Sequence, residues 1–144
     1  MSHIDSRIIL GRKERVSFPE FHIEGVVAKI DSGAYSGAIH AKVLGEVQKN
    51  GSNFLQFSLL DTTHPKLSSI IHETADFRKK TIHSSNGTMS HRYVIKTTLG
   101  LGGTFFPVEI SLSDRSTMRC PVLVGRKFMS KDFLIDVCAE FLTS

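Results

Sequence analysis

Two cysteines, Cys120 and Cys138, are all that the 144 residues contain, with no CxxC pairing. That excludes a disulfide framework and a clustered thiolate metal site, and fits a reducing compartment with both thiols as small core residues. No apolar run approaches the eighteen or so residues of a spanning helix, so no membrane partner is expected. The N-terminal stretch lacks the apolar region and small-residue cleavage site of a secretory signal. The chain therefore reads as cytoplasmic, as would one trimmed of a leader. Neither HExxH nor HxxEH is present, no Lys-Ser/Thr follows a glycine loop, and no Gly-x-Ser-x-Gly elbow occurs. These absences remove the usual signatures of a zinc hydrolase, a nucleotide-phosphate loop and a serine hydrolase. No metal and no cofactor are expected.

What is present suits an ordinary globular protein: 40% apolar, 22% charged, net charge +4. The length fits a single domain, residues 1–144, able to bury a core without disulfides. Its cations are scattered except for the short runs 12–15, 78–80 and 126–127. Such runs read as solvated surface, not as a nucleic-acid footprint, although they would attract an acidic peptide.

Alternation at period two marks the chain as β-rich, with strands over 15–18, 25–30, 39–48, 54–60, 92–99, 104–112 and 121–124. Phe106, Val108, Ile110 and Leu112 share one strand face, and Pro107 places that strand at an edge or at a bulge. The glycines of 99–104 make a hairpin. One helix is expected over 125–132, two turns at most. The polar segment 61–87 reads as excursions followed by a long mobile hairpin.

The segment Ala28-Lys29-Ile30-Asp31-Ser32-Gly33-Ala34 organises the rest. Val26, Ala28 and Ile30 alternate inward, delivering Asp31 to the tip of a Ser-Gly turn. Asp-Ser-Gly is also ordinary turn chemistry, so by itself it does not distinguish a catalytic carboxylate from a plain loop. Tyr35 and His40 lie close enough in sequence to be pocket residues, while His83 and His91 flank the hairpin tip.

Taken in order, a set of segments resembles the retropepsin-like aspartic proteases. They are Gly11-Arg12-Lys13-Glu14 with Pro19-Glu20, then 28–34 with Ser36 and Ala38-Ile39-His40-Ala41. Ser84-Ser85-Asn86-Gly87, Leu101-Gly102-Gly103 and Val108-Glu109 follow, and then Pro121-Val122-Leu123-Val124-Gly125-Arg126 with the run 133–137. The similarity is to a bacterial branch that carries the older name ATP-dependent zinc protease. It implies an all-β acid-protease barrel with one short helix. It also implies Asp31, Ser32 and Gly33 as the catalytic loop, and Ala34, Tyr35 and the flap Ser84, Ser85, Asn86 and Gly87 as substrate-facing. Gly125 and Arg126 would support the loop from behind.

Acid-protease chemistry needs two carboxylates sharing a proton, one acting as acid while the other acts as base. The chain has a single Asp-Ser/Thr-Gly, so the second must come from another copy, and a homodimer is expected. Members of the branch are associated with ligases that append glutamates to proteins, which implies a peptide or protein substrate of acidic character. The competing expectation is a non-catalytic peptide-binding or assembly domain with the same fold. Retroviral relatives carry an acid four residues after the catalytic one. Here that position is Tyr35, so Arg126 must find another partner or face solvent.

Overall fold

A computed structural model of the chain describes residues 6–60, 69–83 and 85–144. Six strands close into a barrel: β2 (Lys13–Phe18), β3 (Ile23–Ile30), β4 (Gly37–Lys49), β8 (Met89–Leu101), β9 (Thr104–Ser113) and β10 (Val122–Val124). They follow the order β10-β3-β2-β8-β9-β4, and a further β10–β4 pairing shuts the ring. The closing strand is only three residues long. Val122 sits opposite Ala28 of the parallel neighbour β3 and opposite Ile39 of the antiparallel neighbour β4.

Paired along both edges, β10 buries Val122 and Val124 in the core while Leu123 on its other face is half-buried and lines a cavity, so all three positions favour apolar residues. β3 alternates as expected, with Val26, Ala28 and Ile30 all buried. They join Val16, Phe18, Ile39, Ile95 and Val122 in one apolar core. Each larger side chain of that kind contributes about 2 kcal/mol on burial.

Outside the ring, β4 continues into a hairpin with β5 (Ser52–Leu59). Its two-residue connection, Asn50-Gly51, has φ of 52° and 79°, the doubly left-handed turn that matches strand twist. β5 in turn pairs with the short β6 (His72–Thr74), and β7 (Phe77–His83) pairs antiparallel with the first half of β8. A separate parallel pair joins β1 (Ile8–Leu10) to β11 (Phe133–Ile135).

The seven expected strands are present, each within about three residues of its expected ends. The hairpin at 99–104 also forms, with φ of 61° at Gly102 and 82° at Gly103. Pro107 lies opposite Thr98 of β8, while β4 pairs only from Ile110 onward. The proline thus occupies the part of β9 whose second edge has no strand, where its missing N–H costs nothing.

The expected short helix forms as a single turn, α1 (Arg126–Met129), because the chain must straighten by Phe133 to pair with β1. Two expectations need refinement. Cys120 is buried but Cys138 is exposed, since it falls in the turned segment after β11 and not on a core face. Of segment 61–87, the described part is largely β6 and β7; its alternation was hidden because β7 is exposed along most of its length.

Candidate active site

Asp31 sits where β3 leaves the barrel. Its N–H donates to the Val124 carbonyl (2.9 Å), so the loop starts suspended from β10. The Gly33 N–H donates to Asp31 Oδ1 (2.9 Å), and the Ala34 N–H returns to the Asp31 carbonyl (3.2 Å). A Cβ on Gly33 would meet that same Oδ1 at 3.1 Å, which is why the position favours glycine. The remaining oxygen, Oδ2, lies 3.8 Å from Lys29 Nζ, and the Asp31 side chain is 26% exposed. One carboxylate is therefore held in a fixed orientation by its own turn and is open to solvent.

The backbone of β10 and α1 braces the loop from behind. The Arg126 N–H donates to the Ala34 carbonyl (2.7 Å) and the Lys127 N–H to the Tyr35 carbonyl (2.9 Å). Gly125 passes so close that a Cβ there would come within 2.7 Å of the Tyr35 oxygen. Arg126 Nη1 donates to the Ser32 carbonyl (2.9 Å), and its guanidinium stands 5.8 Å from the centre of the Tyr35 ring. The ring thus takes the place of the missing acid, as a cation–π partner. Ser32 and Tyr35 themselves are exposed.

The β7–β8 hairpin, paired from Phe77–Ile95 out to His83–Met89, shares a cavity with Tyr35 and Ser36 through Arg78 and Lys80 near its base. At its tip Asn86 Oδ1 accepts from the Thr88 N–H (3.2 Å), and Gly87 adopts φ 84°. Ser85, Asn86 and Gly87 are exposed there, while Ser84 lies outside the described residues. Between hairpin, loop and helix lies a cavity of about 260 Å³. Tyr35 and Ser36 line it from the loop, Arg78 and Lys80 from β7, Val108 and Glu109 from β9, and Lys127 from α1. Asp31, Ser32 and Gly33 do not line it; they lie just before its loop wall in the chain.

The charged lining is connected. Glu109 Oε2 accepts from Arg78 Nη2 (2.6 Å) and stands 3.6 Å from Lys127 Nζ. The Arg78 hydrogen bond, outweighing a small desolvation and aided by Lys127, holds the Glu109 carboxyl below its ordinary range.

The sequence pattern missed Arg78, Lys80 and Glu109 as site residues. The signal was period two: on a strand, Arg78 and Lys80 share a face. Lys79 takes the other, near Glu46 (3.9 Å) and the Tyr93 ring (5.7 Å). His40 does not join the pocket. It is buried, with Nδ1 accepting from the Arg115 N–H (2.8 Å). Among the described residues, no three of His, Cys, Asp and Glu converge as a metal site. Nor does any described helix have the length and apolarity to cross a membrane.

A closed six-stranded barrel, a carboxylate turn braced by a crossing strand and helix, and a hairpin sharing a cavity with the residues just after that turn define a retropepsin-like acid-protease fold. The chain belongs to the RimB-like family, described as "Retropepsin-like aspartic endopeptidase RimB", whose model matches residues 9–144.

Among curated relatives, a protein of Shewanella halifaxensis named "Probable alpha-L-glutamate ligase" is 31% identical over 137 residues. A protein of the same name from Desulfotalea psychrophila is 31% identical over 136 residues. These matches cover 95% and 94% of this chain but only 30% and 29% of the relatives. The chain thus spans under a third of their length. A crystal structure of protein Lpg0085 of Legionella pneumophila, described as of unknown function (DUF785), aligns with a TM-score of 0.75. It is 22% identical, and the alignment covers 95% of this chain and 98% of that one. It shares the fold.

Proposed function

We propose that two copies of this chain form an aspartic peptidase in which the Asp31 carboxylates meet on a two-fold axis. The observation that carries this is the turn itself: a single solvent-accessible carboxylate, oriented by the Gly33 N–H and braced from β10 and α1. The chain carries one Asp-Ser/Thr-Gly turn, and a shared dyad then draws its second carboxylate from another copy. A water between the two carboxylates loses a proton to the ionised one as its oxygen attacks a peptide carbonyl. The protonated one hydrogen-bonds the carbonyl oxygen as it becomes tetrahedral. Collapse breaks the C–N bond, and a proton passes to the leaving nitrogen. The β7–β8 hairpin covers the substrate and excludes bulk water.

The substrate class is an acidic peptide or protein. Three cations line the cavity against one anion, and the relatives named as glutamate ligases carry a similar segment within a longer chain. That same association supports a second reading, a peptide-holding domain without chemistry of its own. Asp31→Asn separates the two. The peptidase reading expects hydrolysis of an acidic peptide to fall at least a thousandfold, on the scale of losing a reacting group, with melting temperature and peptide binding retained. Hydrolysis that survives the substitution sinks the dyad. Binding without hydrolysis in the unaltered protein, at any pH between about 3 and 8, favours the holding domain.

A further inference from the structure

The geometry points to the Arg78–Glu109–Lys127 cluster as a carboxylate subsite that the protein's own Glu109 occupies when no substrate is bound. This rests on the reading that the cavity receives an acidic peptide, and adds which residues read it and what competes for them. The three side chains come from three separate elements: the hairpin strand β7, the barrel strand β9 and the helix α1 behind the Asp31 loop. They converge on one cavity wall, Glu109 lying 2.6 Å from Arg78 and 3.6 Å from Lys127. Lys80 also lines the cavity and adds a further positive charge. An arginine fork with a nearby ammonium matches a carboxylate in shape and charge.

Glu109 shows that Arg78 can hold a carboxylate in this position, here through one guanidinium nitrogen. All three side chains keep partial exposure, between 27% and 52%, so the internal pair is solvent-screened and exchangeable. A glutamyl side chain entering the cavity would take the Arg78 fork and displace Glu109 toward solvent. Glu109 therefore sets a threshold: an acidic side chain must outcompete it, while a neutral one gains nothing by entering. Specificity comes from that difference.

The test measures binding, so that it does not depend on turnover. In an Asp31→Asn background, fluorescence anisotropy follows a labelled, C-terminally amidated hexaglutamate peptide and its hexaglutamine counterpart. Glu109→Gln removes the competitor and preserves side-chain shape. Hexaglutamate should then bind about five- to tenfold more tightly, the scale of one charge-assisted hydrogen bond, with hexaglutamine unchanged. Arg78→Gln should bring the hexaglutamate affinity down toward that of hexaglutamine.

A hexaglutamine peptide with a free C-terminus separates a side-chain carboxylate from a terminal one. If it alone responds to Glu109→Gln, the subsite reads a chain end and the side-chain assignment is overturned. The proposal is also overturned if Glu109→Gln leaves the hexaglutamate-to-hexaglutamine affinity ratio unchanged, or if neither peptide binds any variant. A merely structural Glu109 would shift melting temperature and leave that ratio alone. Asp31-dependent hydrolysis with an unmoved ratio keeps the peptidase and discards the subsite; a shifted ratio in a protein that hydrolyses nothing does the reverse.

Discussion

Glu14 has no exposed surface, yet both of its carboxylate oxygens are hydrogen-bonded. Its carboxylate accepts from the Gly11 N–H (2.7 Å), the Leu142 N–H (2.9 Å), and both the N–H (3.1 Å) and hydroxyl (2.7 Å) of Thr143. Burial pushes its pKa up, but these donors, led by the Gly11 N–H, prevail and hold it below the ordinary 4.5. Glu14 thereby ties segment 142–143 to β2. Glu14→Ala leaves those donors without their acceptor and should cost about 3 kcal/mol in chemical denaturation.

His72 acts at a different pH. Burial against Phe21 (ring centroids 4.9 Å apart) and Phe57 (5.7 Å), and then proximity to His22, hold its pKa below 6.5. A histidine kept neutral in the fold stabilises it above 6.5 and less so below, because the unfolded chain binds the proton first. A carboxylate with a lowered pKa contributes fully above 4.5, and that contribution disappears as pH falls through the folded value. Stability should therefore decline in two steps on acidification. His72→Phe should remove the step below 6.5, and Glu14→Gln should shrink the step below 4.5, which Glu109 and other paired carboxylates share, as read by melting temperature against pH. A single unaltered profile in both variants would contradict these assignments.

At the level of the element, the crossing of β10 into α1 decides where Asp31 stands. Four hydrogen bonds link it to the loop: Asp31 N–H to Val124, Arg126 N–H to Ala34, Lys127 N–H to Tyr35, and the Arg126 side chain to Ser32. The approach at Gly125 leaves no room for a methyl group, since the obstructing atoms are backbone. Gly125→Ala should cost about 2–3 kcal/mol by overpacking and reduce hydrolysis more than it reduces the folded fraction, because the displaced segment is the loop. Thermal melts and turnover measured on the same preparation check this. Equal losses in both would mean that the crossing holds the barrel without aiming the carboxylate. The hairpin shows a related division. The hairpin was expected but the bounds of its first strand were not legible, because β7 is polar on both faces from Arg78 to Thr81, whereas the Asn50-Gly51 turn has a two-residue signature of its own.

For the whole molecule, the proposed dyad makes a quantitative prediction about mixed assemblies. If each site takes one Asp31 from each copy, a mixed dimer of unaltered and Asp31→Asn chains has one carboxylate and no activity. Refolding the two in equal amounts should then leave about a quarter of the activity per total chain, following the square of the unaltered fraction. A linear dependence, about one half at equal mixing, would show that each copy works alone. Sedimentation measured with and without hexaglutamate gives the assembly state to which that ratio applies.

The sequence alone determined what is local. Apolar alternation placed the strands, because burial on one sheet face acts on every second residue. The Asp-Ser-Gly turn marked the carboxylate, because its geometry is closed within four residues by the Gly33 and Ala34 amides. Only the tertiary structure decided what depends on distant segments. Arg126 meets Ser32 and Tyr35 across some ninety positions, Glu14 receives a segment more than a hundred residues away, and Arg78 finds Glu109 from another strand. No pattern of neighbours encodes such pairings; they form because closing the barrel brings those backbones together and sets each of these charges beside its partner.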